Sequence, residues 1–511
     1  MKKEVVFEFH RFKNFIQTKK IIIWLLALIT LITYSSKIFL YNYSIDTEQF
    51  MNKGIPFKWW ISLGRYGLAF LSKLTTVGID LNVTLTNVIT YLLLFTSSVI
   101  LSFIIWRSEN KINSFWVVIA AGLYLTSPTM LEQTNFVLQS MEVTFAFNLL
   151  YIAILFIQYF IETKHKLFFA LAIISTIIAF SIYTSLQAAF VVVTLLALYL
   201  HSDSNSYFSY IKNAVPYVIV LVASTLFNIV ATKAISKALN IPKNNYLSNM
   251  YIIGKVSIKT WIADVVLAFK QYFLQVNYFF FVLSTLLFIL SIICCLLIFS
   301  KRNINKIAIA LTTIILAGLA AVLPMLTTGS IGPIRSYAPT YPLLLLLLTI
   351  IVVDLISKLS FSKFIIPIVG IVLLSCLLVQ AKITNDFGVS EYNQFQAELE
   401  FKQDLQNRFA DLGINNTKDY KFAFYGAKGF SSKNIIKGDV LGKSLFEWDP
   451  IGEVGVSNRA TDFLNDQGLE LTPVNAKEYK NLQKYIPKMR AFPSHSSVKI
   501  VKNYVIIRLS E

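Results

Sequence analysis

Asp46 and Glu48 stand in the run Tyr-Ser-Ile-Asp-Thr-Glu, just where the first long apolar stretch of the chain ends. Carboxylates at such a boundary can take a proton from a hydroxyl or attract a cation, and their position suggests chemistry at a membrane surface. Two arginines suit a complementary task, the holding of an anion. Arg65 lies between Gly64 and Gly67, and Arg335 sits in Gly-Ser-Ile-Gly-Pro-Ile-Arg-Ser-Tyr-Ala-Pro. Backbone N–H groups in such a Gly/Pro-rich connection can help cradle a phosphate. Arg335 could instead reach up to lipid headgroups, but its place beside glycines and prolines favours phosphate.

These residues need elements to carry them. Residues 21–40 form an almost unbroken apolar run, enough for a helix to cross a ~30 Å hydrocarbon core. Lys2, Lys3, Arg11, Lys13, Lys19 and Lys20 precede it against only Glu4 and Glu8. The positive-inside bias therefore puts residues 1–20 in the cytoplasm and residue 42 onward outside. The run is too long for a signal peptide and lacks a clear small-x-small cleavage site, so it reads as uncleaved. Further apolar runs centre on 82–106, 112–127, 140–162, 167–183, 185–200, 213–235, 276–300, 305–326, 341–358 and 364–381. With the first they predict about eleven spans, the pair that meets at 183–187 being the closest to a single broken helix.

Four connections then face outward. In the first, 42–81, a helix opened by Pro56 would place Trp59, Leu63, Tyr66, Phe70 and Leu74 on one face and Lys58, Ser62, Arg65 and Ser72 on the other. That is an interfacial helix, although Trp and Lys at a membrane boundary are also ordinary anchors. The second holds Glu132 in Ser-Pro-Thr-Met-Leu-Glu-Gln, with Glu142 entering the next run. The third, 236–275, carries Asp264 and repeats Ile262, Val266, Phe269 and Phe273 at helical spacing. The fourth holds Arg335.

Composition bounds the class. Hydrophobic residues make up 55% and charged residues 14% of 511, too apolar for a soluble chain. From about residue 383 the pattern changes to short hydrophobic runs with nearly balanced charge. Residues 383–511 are expected to form a soluble α/β or α+β module outside the membrane domain of residues 21–382. Its elements are a helix over 391–412, a strand over 420–425, a helix over 457–466 and a hairpin over 497–509. The net charge of +18 belongs mostly to the membrane part. It reflects the positive-inside rule and contact with lipid phosphate, not nucleic acid. The outer loops are basic as well, as an anionic lipid or lipid-linked phosphate on that face would require. Cys294, Cys295 and Cys376 all fall in apolar runs, and His10, His165, His201 and His495 are far apart, so neither a disulfide framework nor a histidine metal site is implied. No nucleotide loop, nucleophile elbow or fixed-period repeat is present.

Taken in order, several short motifs share one pattern. They are the acids of 43–48, Trp-x-x-x-Gly-Arg at 60–65, Ser-Pro-x-x-x-Glu at 127–132, Tyr-x-x-x-Gln at 183–187, Pro-x-Arg at 333–335 and Phe-Pro-x-x-x-Ser-Val at 492–498. This order resembles the O-antigen type glucosyltransferases of the Gtr II kind, over nearly the whole chain. The resemblance implies an all-α polytopic membrane protein of the GT-C class with a small extracytoplasmic C-terminal domain, in the bacterial plasma membrane. It implies transfer of a hexose, glucose in the family, from a polyprenyl-phosphate-linked donor to a surface glycan such as a wall polysaccharide, teichoic acid or O-antigen. Asp46 would be the general base with Glu48 as helper or alternate base. Arg65, Arg335 and Lys58 would bind the donor phosphate, and Glu132, Gln187 and Tyr183 the sugar or acceptor. No cofactor is required by this chemistry, and whether a divalent metal assists is left open. Membrane lipid is the remaining partner, and the C-terminal module would either bind acceptor glycan or serve as a structural cap.

Two other classes compete. A flippase or transporter for lipid-linked sugars would place ionisable groups inside the bundle and show repeats with broken helices, whereas here the acids cluster at the outer surface. A non-catalytic envelope-assembly protein would not depend on those acids.

Overall fold

Long runs of Ile, Leu, Val and Phe satisfy their backbone groups within helices, as lipid demands, and helices dominate the chain. The computed structural model describes all residues except 1, 76–80, 109–111, 202–205, 243, 245–250, 271–282, 300–303, 330–331, 360–361 and 511. Lys243, Phe273, the start of the 276–300 run and two residues of the connection before Arg335 thus lie outside the described residues. Along the chain, α1 (Lys2–Thr18) precedes α2 (Lys20–Phe39), and three short helices follow: α3 (Thr47–Lys53), α4 (Phe57–Ser62) and α5 (Tyr66–Thr75). Next come α6 (Val83–Trp106), α7 (Ser114–Thr126), α8 (Pro128–Thr134), α9 (Val137–Thr163), α10 (Lys166–Ile182), α11 (Leu186–His201) and α12 (Tyr207–Ala238). The helical part closes with α13 (Ile258–Phe269), α14 (Leu283–Phe299), α15 (Ile304–Thr328), a 3-10 turn at Ile334–Tyr337, α16 (Thr340–Ile356) and α17 (Ser362–Asp411).

Every apolar run contains a helix, but eleven spans are not confirmed. Among the described residues, α2, α6, α9, α12, α15 and α17 are long and apolar enough to cross a membrane. A seventh results if α7 and α8, bent by 45° where they meet, count as one. The turn follows from Ser127-Pro128, since the residue before a proline is driven out of the helical region. The remaining four, α10, α11, α14 and α16, have 16 or 17 residues among those described. At 1.5 Å per residue they reach about 24–26 Å, short of the ~30 Å core. The meeting of α10 and α11 is a true break, because Tyr183 is extended and two turn residues follow it.

The expected single helix after Pro56 is two. Gly64 adopts φ +80, a left-handed conformation that glycine supplies without strain, and the chain turns there between α4 and α5. Trp59, Phe70 and Leu74 remain exposed, as do Ile262, Val266 and Phe269 on α13.

The helix over 391–412 is the end of something longer. α17 continues unbroken through residue 383 and carries the chain from the apolar bundle, where it packs on α2 and α7, into the C-terminal module. There β1 (Lys421–Tyr425), β2 (Thr472–Pro473), β3 (Val498–Val501) and β4 (Tyr504–Arg508) form one sheet in the order β2-β1-β4-β3. β1 is parallel to both neighbours, with Ala423 opposite Ile506, and β3–β4 is the antiparallel hairpin. α18 (Ser457–Asp466) and α19 (Ala476–Leu482) accompany the sheet, and α18 packs on both β1 and α3. The module thus meets the first loop at one end of the bundle.

Candidate functional site

α3 begins at Asp46, a non-glycine residue held at φ 70. Its carboxylate is 42% exposed, whereas that of Glu48, two residues on, is fully buried. A guanidinium from the C-terminal module ties both. Arg459 on α18 donates from Nη1 to Glu48 Oε1 at 2.7 Å, from Nη2 to Asp46 Oδ1 at 3.0 Å and from Nε to Asp449 Oδ2 at 2.5 Å. Three carboxylates on one planar fork is a geometry that arginine alone can serve. Burial pushes the Glu48 carboxyl up to about 8, with Arg459 pulling against the shift. Burial would lower the Arg459 pKa, but Glu48, Asp46 and Asp449 outweigh it and raise it. Around this centre, Asn52 donates to the Asp462 carbonyl at 2.9 Å and to Asp466 Oδ1 at 2.6 Å, Tyr43 donates to Asp466, and Lys53 pairs with Asp462. α3 is therefore fixed against α18 by directional bonds.

Asp46 lines a cavity of about 660 Å³ together with Trp59, Trp60, Arg65, Arg335 and Trp448. Arg65 follows the Gly64 turn and immediately precedes α5, which approaches α10 closely because Gly67 has no side chain. A Cβ there would lie 2.0 Å from Ser181 Oγ. Its guanidinium lies 4.9 Å from the centre of the Tyr183 ring and donates to Gln139 Oε1 at 3.3 Å. Tyr183 also donates its hydroxyl proton to the Arg335 carbonyl at 3.1 Å, so one side chain braces both arginines. The Arg335 guanidinium sits 4.8 Å from the centre of the Phe136 ring and 3.9 Å from Asp439 Oδ2. The same Asp439 oxygen accepts the Ile334 N–H at 2.9 Å. Among the described residues, no three His, Cys, Asp or Glu side chains are placed to hold a metal ion.

A family model described as Glucosyl transferase GtrII matches residues 36–353, more than half of the chain. The chain belongs to the GtrII family. No curated protein matches it. Membership supports glucosyltransferase activity on a cell-surface glycan, and the several membrane-length helices agree with a multi-pass membrane protein.

Within the GtrII-matched stretch, the structure brings Asp46, Arg65 and Arg335 to one cavity and leaves the other named residues outside its lining. Glu48 is buried behind Asp46. Lys58 is exposed on α4. Tyr183 supports the arginines without lining the cavity, and Gln187 lies half-buried in the first turn of α11. Glu132 is wholly buried and has a different partner. Its carboxylate accepts the Asp439 N–H at 2.7 Å and the Val440 N–H at 3.1 Å, which fixes the segment whose Asp439 faces Arg335.

Arg459, Trp448 and Asp449 complete the cavity from beyond the matched stretch. Sequence reasoning missed them, since Arg459 is 411 positions from Glu48. An Asp449-Pro450 step and a lone tryptophan in a polar segment were the available signals.

Proposed function

We propose that this protein is a polytopic glycosyltransferase of the outer face of the bacterial plasma membrane. It moves glucose from a polyprenyl-phosphate-linked donor to a surface glycan, with Asp46 as general base and Arg65 and Arg335 holding the donor phosphate. The observation that carries this reading is the single cavity in which a part-exposed carboxylate and two arginines converge beside Trp59 and Trp60. The acceptor hydroxyl oxygen attacks the anomeric carbon and its proton passes to Asp46. The carbon–oxygen bond to phosphate breaks, polyprenyl phosphate leaves with the electron pair, and a single displacement inverts the anomeric centre. A glycosidase needs a second carboxyl as acid, but phosphate departs as an anion and needs a cation instead. An arginine accelerates this step insofar as its contact strengthens while charge builds on the leaving oxygen.

In this reading Glu48 is a positioning residue. It anchors one arm of Arg459, whose second arm holds Asp46 by one oxygen. Glu132 positions Arg335 through Asp439, and the tryptophans offer apolar ring faces to a sugar.

The test is transfer of labelled glucose from synthetic polyprenyl-phosphate glucose to envelope glycan by the purified protein in lipid. Asp46→Asn should lose about 10²–10⁴-fold in kcat, the usual contribution of a placed base, and Glu48→Gln markedly less. Full activity in Asp46→Asn would overturn the assignment of the base. Movement of labelled lipid between leaflets without transfer would overturn the reaction itself.

A further inference from the structure

The cavity that holds Asp46 does not stand alone. A second, of about 760 Å³, shares Gln49, Trp448, Asp449 and Arg459 with it. A third, of about 640 Å³, shares Pro450, Gly452, Glu453 and Ala476 with the second and extends to Tyr479 and Arg508. Gln49 apart, the second and third are lined wholly by residues of the C-terminal module. Each has the roughly 300–1,000 Å³ of a complete small-molecule site. With the donor sugar and the reacting hydroxyl at the first, the other two lie where further residues of a longer acceptor would run.

The lining says what would lie there. Tyr425 and Tyr479 stack with ring centres 4.2 Å apart at 15°, the Tyr425 hydroxyl donating to the Tyr479 carbonyl and the Tyr479 hydroxyl to the Phe424 carbonyl at 3.1 Å. The 449–455 segment is seated on this pair, since a Cβ at Gly455 would come within 2.7 Å of the Tyr479 hydroxyl. The floor is therefore preformed and aromatic. Around it stand the amides of Asn458 and Gln483. The charges do not favour a polyanion. Arg459 is engaged by three carboxylates, and Arg508 donates to the carbonyls of Ile486, Met489 and Ser510. Glu453 and Lys480, both exposed, contribute one charge of each sign.

We propose that these cavities form one groove that binds the acceptor as a chain of uncharged sugar residues, leading from the sheet of the C-terminal module to Asp46. The hydroxyl that reacts then belongs to a residue of a polymer, and acceptor choice is made on a surface beyond the family-matched stretch. This rests on the transferase reading for what happens at the Asp46 end.

The test uses the full chain in lipid nanodiscs and neutral envelope polysaccharide, trimmed to single sugars and to long fragments, with polyglycerol phosphate as the charged comparison. Without donor, the long fragments should bind about tenfold or more tightly than the single sugars, a difference of about 1.4 kcal/mol. Glu453→Ala and Lys480→Ala, exposed sites outside the cavity of Asp46, should each reduce that preference while kcat for a single-sugar acceptor stays unchanged. Equal binding of short and long fragments, or tighter binding of polyglycerol phosphate, would overturn the groove while leaving the transferase intact. Length-dependent binding with no glucose transfer would do the reverse.

Discussion

Replacing Arg459 with methionine, which keeps the length and removes the fork, tests whether the C-terminal module sets Asp46, the proposed base. Asp46 and Asp449 are 42% and 57% exposed, so solvent screens their ion pairs to about 0–1 kcal/mol each. The Glu48 pair is different, since that carboxylate is 0% exposed, and removing one partner of a buried pair costs about 3–5 kcal/mol. That cost applies above about pH 8, where folded Glu48 is ionised; at neutral pH the carboxyl already holds its proton, and the loss is that of a hydrogen bond to a charged group, about 1.5–3 kcal/mol. The joint between α3 and α18 should therefore weaken by about 2–3 kcal/mol at neutral pH, leaving Asp46 held only through its backbone. If about 2 kcal/mol of that reaches the transition state, kcat falls about 30-fold. The assay is glucose transfer from the lipid-linked donor in nanodiscs, read as separate kcat and donor KM, with the melting temperature as a check on folding. A fall in kcat with donor KM within about threefold is expected. Arg459→Lys should recover only part of it, because an ammonium cannot serve three carboxylates in one plane. A folded Arg459→Met protein with near wild-type kcat would refute the coupling.

Further outcomes follow from the same geometry. Arg65→Ala and Arg335→Ala should each lower kcat/KM for the donor by about 10–100-fold, the worth of about 1.5–3 kcal/mol for a charge-assisted bond. Lys58→Ala, outside the cavity, should change it little, and a larger effect there than at Arg335 would reverse the phosphate assignment. Glu132→Gln places an amide NH₂ against a backbone N–H and should cost about 1–3 kcal/mol. Its signs are a lower melting temperature and a raised donor KM through Asp439 and Arg335, and an unchanged KM would sever that link. Folded Glu48 keeps its proton up to about 8 while the unfolded carboxyl releases it near 4.5. The folded state thus binds more protons in that window, and stability should fall as pH rises through it, by at most about 1.4 kcal/mol per pH unit from this group. Glu48→Gln should flatten the slope, which melting curves across the window would show.

The elements that local pattern governs were legible in the sequence. The apolar run of α2, the helix at Ser457–Asp466 and the β3–β4 hairpin all follow from periodicity within a few residues. So did the cavity groups of the first loop and of the 333–335 turn, because an acid or arginine at the end of an apolar run is conspicuous. Interruptions were harder to read. The Gly64 turn and the bend at Ser127-Pro128 lie inside patterns that look continuous, while α17 crosses a change of composition without breaking. Long-range pairing left no trace at all. Glu132, Glu391 and Glu398 resemble solvated acids, yet each accepts backbone N–H groups from the 439–445 segment. Such a partnership spans up to 308 positions, and no local window contains it.

That polar joint explains why the module cannot be regarded as a loose cap. An apolar interface tolerates sliding, whereas a buried carboxylate that accepts a particular N–H fixes both position and direction. Glu132 holds Asp439 and Val440, Glu391 holds Gly442 at 2.6 Å and Glu398 holds Leu445 at 2.8 Å. Three anchors within seven residues leave the following turn little freedom, and that turn presents Trp448 and Asp449 to the cavity. Arg459 then closes the circuit from Asp449 back to Asp46 and Glu48. Glu132, Glu391 and Glu398 are each buried, and the hydrogen bonds they accept from N–H groups of the 439–445 segment offset the cost of taking them out of water. The bundle thus brings Asp46 and the arginines, the module holds the Asp46 carboxylate through Arg459, and neither part alone contains the whole cavity.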